Sequence, residues 1–223
     1  MTVQVRLSAP ADEGDNARFA QAFRESMTAF HRVPAYIVRR SDAIEMQVIA
    51  AALDAMRVVA GNRVPSGASW MQWGTTLGPK VYMPDGLSLL GWIEMLTHEL
   101  EHVSQFWRGE FPDGNVGERS LPNGIGMAWM YLSEDIARVR YECRAYAAGA
   151  EAIASLRQPL PPMSRMIDPL EGGYMLGDKA KHLASSIMDA NLLSIDTGTL
   201  TTTAGRMSDE VLRELGRVFD ITP

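Results

Sequence analysis

Five consecutive residues, His98-Glu99-Leu100-Glu101-His102, hold the side chains best placed by spacing to do chemistry. Two histidines four positions apart fall on one side of an α-helix, a turn from each other, where both imidazoles reach one point. Neutral imidazole nitrogen is a preferred donor to Zn2+, and a catalytic zinc leaves one tetrahedral position to water. Glu99 projects about 100° further around the helix than His98. From there it can take a proton from a water that the ion has acidified to a pKa of about 7. His98 and His102 are therefore candidate zinc ligands, and Glu99 is the candidate general base. The chain has 4 histidines in 223 residues, so the pattern arises by chance in roughly one such chain in 200. The bland alternative is a helix with solvated histidines and a surface glutamate.

The spacing predicts that a long helix, from about Ser88 to Trp107, carries this pattern. Leu89, Ile93, Leu96, Leu100, Val103 and Trp107 form its apolar stripe, and the two histidines lie off that stripe. Short strands are expected over Ala68–Thr76 and Lys80–Met83, with Gly78-Pro79 between them. The segment Gly109–Gly126 holds five glycines and two prolines and reads as a loop long enough to gate a cleft. A second long helix is expected over about Ala128–Leu156. Upstream, residues 1–7 alternate like a half-buried strand. Phe19, Phe23, Met27 and Phe30 mark a helix that Pro34 stops, and another helix runs from about Ser41 to Ala60 before Gly61-Asn62. Pro159, Pro161 and Pro162 interrupt the chain, and helices follow near Asp178–Leu193 and Ser208–Phe219.

The stretch His98-Glu99-Leu100-x-His102-Val103-x-Gln105 resembles the active-site helix of zincin metallopeptidases. More narrowly, it is similar to small bacterial and phage-type members that use a glutamate as third ligand. The resemblance covers this helix, the strand before it and the helix after it. The order of helices and short strands reads as α+β and mostly helical, and the resemblance implies a zincin-like domain with a small β-sheet beside the active-site helix. It also implies zinc-dependent cleavage of peptide bonds, with the strand at Lys80–Met83 binding an extended peptide by backbone pairing.

Two histidines hold zinc weakly, so a third protein ligand is expected. A metzincin extension needs a histidine at position 108, which is Arg108. A deformylase-like site needs an upstream cysteine, and the single cysteine, Cys143, lies downstream. The segment Glu142-Cys143-Arg144-Ala145-Tyr146-Ala147 is similar to the Glu-x-x-Ala-Tyr-Ala run of the glutamate-ligand families, which makes Glu142 the candidate ligand. Helix geometry agrees: Ile136, Val139, Cys143, Ala147, Ala150 and Ala154 mark the apolar face, and Glu142 borders it. Glu134 and Glu151 fall on other faces and read as solvent residues. Asp135 shares the Glu142 flank and is an alternative ligand, or an acceptor for a ligand imidazole N–H; His182 is a further alternative. The bland reading of Glu142 is an ion pair with Arg138. Tyr146, a turn beyond Glu142, is the candidate donor to an oxyanion, and Tyr131, Tyr174 and His182 are weaker ones. His31 reads as structural or exposed. Trp70, Trp73 and Trp92 read as core or cleft wall, and Arg39-Arg40 is too short for a nucleic-acid patch.

Composition bounds the rest. Hydrophobic residues at 46% and charged residues at 22% fit one globular domain over 1–223, with its core at about 68–156 and a helical part at about 163–223. A net charge of −6 argues against nucleic acid as the main partner. One cysteine allows no internal disulfide. With no apolar run of membrane-spanning length and no signal-peptide pattern, the chain reads as cytoplasmic, acting on a peptide or protein substrate. The rival class is a non-catalytic assembly protein that keeps a zincin fold around a structural or vestigial metal. Glu99 argues against it, because a structural site has no use for a base.

Overall fold

The computed structural model describes residues 3–31, 35–60, 72, 74–108, 129–131, 133–174 and 176–223. In chain order the elements are β1 (Val3–Arg6), α1 (Gly14–His31), β2 (Tyr36–Arg39), a 3-10 turn (Arg40–Asp42), α2 (Ile44–Ala60), β3 (Thr75–Leu77) and β4 (Lys80–Met83). They continue with α3 (Leu89–Arg108), α4 (Asp135–Ser155), α5 (Met163–Tyr174), α6 (Asp178–Asp196), α7 (Thr203–Leu215) and β5 (Phe219–Thr222). The architecture is α+β and mostly helical.

Two small sheets flank the helices. β1 pairs in parallel with β5, Val3 opposite Phe219. In the other sheet, β2 and β3 lie on either side of β4, parallel and antiparallel to it. This corrects the expectation that Lys80–Met83 binds a peptide by backbone pairing: both edges of β4 are already hydrogen-bonded to neighbouring strands. Val81, Tyr82 and Met83 are buried accordingly.

The main core collects the apolar faces of α1, α3 and α7 with the strands. Phe19 and Phe23 of α1 and Leu89, Ile93, Leu96, Leu100 and Val103 of α3 are fully buried together, beside Val211 and Phe219. Each such side chain contributes about 1.5–3 kcal/mol by leaving water. The periodic stripe thus fixes how α3 rolls in the fold, with its last residue, Trp107, only partly covered. A smaller cluster, with Val139, Cys143, Met166, Leu170, Ala184 and Met188, joins α4 to α5 and α6.

Several boundaries differ from the sequence expectation. The helix before Ser155 is interrupted at Glu134, whose extended backbone (φ −126°, ψ 113°) starts α4 at Asp135. Ile136 is exposed, not on the buried face. α7 begins at Thr203 and ends at Leu215, and Phe219 belongs to β5, because the chain end turns back to pair with β1. Arg40–Asp42 forms the 3-10 turn ahead of α2. β2 was not anticipated, and α5 opens the helical part expected at about 163–223 without having been singled out as a helix. The Gly109–Gly126 loop, Trp70, Trp73, Pro34 and most of Ala68–Thr76 fall outside the described residues, as do the side chains of His31, Phe30 and Tyr174. No described helix is long and apolar enough to cross a membrane.

Candidate metal centre

α3 and α4 run antiparallel in close contact. Glu94, a turn before His98, faces Gly149, and Gln105 faces Tyr141. A side chain at Gly149 would place its Cβ 3.0 Å from the Glu94 carbonyl, so the bare glycine lets the two backbones approach. With the leucine stripe of α3 committed to the core, His98 and His102 turn toward α4 and meet Glu142. His98 Nε2 lies 3.6 Å from Glu142 Oε2, and His102 Nε2 lies 3.6 Å from Oε1. One donor atom from each of the three residues falls within 4.8 Å of the others, the only such group of three among the described residues. Two atoms each about 2.1 Å from a tetrahedral ion sit about 3.4 Å apart. Two imidazoles and a carboxylate at this spacing could hold one metal ion, and nitrogen and oxygen donors of this kind are among those that suit Zn2+.

Further side chains hold the group in place. His102 Nδ1 is 2.9 Å from Gln105 Oε1, and Gln105 Nε2 donates to the Tyr141 carbonyl at 3.1 Å. The Tyr131 hydroxyl donates to Glu142 Oε1. The Tyr146 ring stands edge-on to His98, with ring centroids 4.6 Å apart. Glu99 is buried beside β3, where the Thr76 hydroxyl donates to its Oε2 at 2.7 Å. Gly74 makes room for that carboxylate, since a Cβ there would come 2.4 Å from Glu99 Oε1. Behind β3, fully buried Arg40 donates to Thr75 Oγ1 at 2.9 Å.

Burial and mutual charge spread the proton affinities widely. Burial, then the neighbouring His102, holds His98 down at about 3. Burial also disfavours charge on His102, but the Glu142 carboxylate outweighs it and keeps this imidazole up at about 9. Glu142 is likewise opposed by burial, yet His102 and then His98, with the Tyr131 hydrogen bond, pull it down to about 2. Burial raises Glu99 to about 7. Burial, and then Glu142, pushes the Tyr146 hydroxyl well above its ordinary value, so it remains a donor at neutral pH.

The other sequence candidates lie elsewhere. Asp135 is half exposed and pairs with Arg138 at 3.2 Å, and His182 is exposed on α6. Glu134 is exposed at the start of α4. Glu151 is not a solvent residue: it is fully buried and accepts the backbone N–H groups of Thr201 and Thr202 ahead of α7. Glu101, between the two histidines, is also fully buried, bonded to Arg144 Nε at 2.8 Å and to the Ala204 N–H at 2.8 Å. Sequence reasoning gave no role to Gln105, Thr76, Gly74, Arg40 or Glu101. Gln105 lies in the same helix a turn beyond His102 and was within reach of helical spacing. Thr76, Gly74 and Arg40 depend on how the sheet packs, which leaves no local signal. No protein-family model, curated protein or solved structure matches this chain.

Proposed function

We propose that the chain is a zinc-dependent hydrolase of zincin type that cleaves peptide bonds, with His98, His102 and Glu142 as the metal ligands. The observation that carries this reading is the convergence of three donors at metal-ligand spacing beside a buried, oriented Glu99. A zinc ion held there supplies Lewis acidity, polarising a carbonyl and acidifying water. The protein's own groups supply the rest. Glu99, aimed by Thr76 and given room by Gly74, takes the proton of the attacking water and passes it to the leaving amine nitrogen. Burial that favours its protonated form suits a group that must both accept and release a proton. Tyr146, packed on His98 and held neutral, is the donor proposed for the oxygen on which negative charge develops. Tyr131 is occupied with Glu142 and serves to orient that ligand. A purely structural metal site has no use for a buried carboxylate fitted beside its ligands, which favours a hydrolase over an assembly module.

Zinc content and cleavage of casein and a peptide library, with and without chelator, test the reading. The wild type should hold about one zinc and cleave, and chelator should stop cleavage. Glu99→Gln should keep the zinc and lose cleavage. Protein that takes up no zinc overturns the metal centre. Zinc-loaded protein inert on every substrate overturns the hydrolase reading and leaves a structural metal.

A further inference from the structure

We propose that Gln105 is a positioning residue that fixes which nitrogen of His102 meets the metal and ties that histidine to the backbone beside Glu142. The argument is one of donors and acceptors. A side-chain amide has an oxygen that only accepts and a nitrogen that only donates. The Tyr141 carbonyl can only accept, so the amide nitrogen of Gln105 faces it, at 3.1 Å. The amide oxygen is thereby turned to His102, 2.9 Å from Nδ1. An oxygen that only accepts requires the proton on Nδ1. In the neutral imidazole that leaves the free electron pair on Nε2, the nitrogen 3.6 Å from Glu142 Oε1 and inside the three-donor group.

The same amide spans the two helices. Gln105 is fully buried on α3, and Tyr141, buried on α4, immediately precedes Glu142. One side chain therefore sets the ring state of one ligand and the backbone position beside another. No peptide bond supplies this constraint within α3, whose own backbone groups are committed to the helix. Partners of this kind, outside the ligands themselves, change metal affinity by about 10–100-fold when removed. The inference rests on the metal reading above and is independent of whether the centre cleaves peptides.

Zinc-loaded wild type examined by 15N–1H NMR of the imidazoles should show a slowly exchanging proton on His102 Nδ1 and none on Nε2. In chelator competition, Gln105→Met should weaken zinc by about 10–100-fold. Gln105→Glu keeps an acceptor for Nδ1–H but loses the donor to Tyr141, so it should keep the His102 proton on Nδ1 and bind zinc more tightly than Gln105→Met, though less tightly than wild type. If Gln105 served only to clamp α4, Glu and Met would fail alike, and that result overturns the proposal. A His102 proton on Nε2 in zinc-loaded wild type overturns it as well, even if Gln105→Met does not fold. Wild type that binds no zinc instead overturns the metal reading itself.

Discussion

Glu142 receives the Tyr131 hydroxyl on Oε1, the same oxygen that faces His102 Nε2. One carboxylate thus meets both histidines and a tyrosine, with hardly any access to water. Glu142→Ala should therefore weaken zinc binding by more than the roughly 10–100-fold typical of partners outside the ligand set. Tyr131→Phe, which frees the carboxylate to turn, should cost about tenfold. Glu134→Ala, at an exposed position, should leave affinity unchanged. Competition against a chromophoric chelator reads all three, and equal affinity in Glu142→Ala would remove it from the ligand set.

Zinc uptake should depend on pH in a defined direction. Both imidazoles must be neutral to bind. His98, held near 3, is already neutral at any ordinary pH. His102, held near 9, carries a proton below that pH, and the ion must displace it. Affinity should fall by about tenfold per pH unit as pH drops below about 9, and about one proton should be released per zinc near neutral pH. Calorimetry in buffers of different ionisation enthalpy counts that proton, and a pH-independent affinity between pH 7 and about 8.5 would contradict the His102 assignment.

Gly74 offers a test of the base that spares the ligands. A methyl group there would fall 2.4 Å from Glu99 Oε1, so Gly74→Ala must displace the carboxylate. Its zinc content should stay at wild-type level while hydrolysis drops, toward the loss of about 100- to 10,000-fold expected for Glu99→Gln. Gly74→Ala with full activity would show that Glu99 is not held where the reaction needs it.

Glu151 should matter to stability and not to metal. It is fully buried, and its oxygens accept from the backbone N–H groups of Thr201 and Thr202 and from both hydroxyls. Glu151→Ala strands these donors, at about 1–3 kcal/mol for each one left buried. Urea unfolding of Glu151→Ala should show a loss of roughly 2–6 kcal/mol, from the two donors of buried Thr202, with zinc affinity kept. An unchanged midpoint would mean that water replaces the carboxylate.

Cys143 should be inert in the folded chain. Burial, and then the adjacent Glu142, pushes its thiol up to about 12, so the reactive thiolate is scarce at neutral pH. An aromatic disulfide reagent should label it only after denaturation. Rapid labelling of the native protein would show that the α4–α6 contact opens readily.

Much of this was legible from periodicity alone. The stripe Leu89-Ile93-Leu96-Leu100-Val103 determined which side of α3 enters the core, and with it the side on which His98 and His102 stand. The alternation in β1 and the run Lys80–Met83 likewise marked strands, because side-chain period records which face is buried. Periodicity says nothing about what covers a face, and there the tertiary structure decided. Glu142 and Glu151 are two carboxylates on one helix, and helical position set only Glu142 beside the apolar face, yet both are buried. One meets the imidazoles of α3, and the other caps the segment ahead of α7, brought in from far along the chain. β4 looked like a free edge until β2 and β3 took both its sides. His102, Glu142 and Tyr131 converge only because α3 and α4 pack antiparallel at a glycine, and that contact is set by the summed burial of two whole helices.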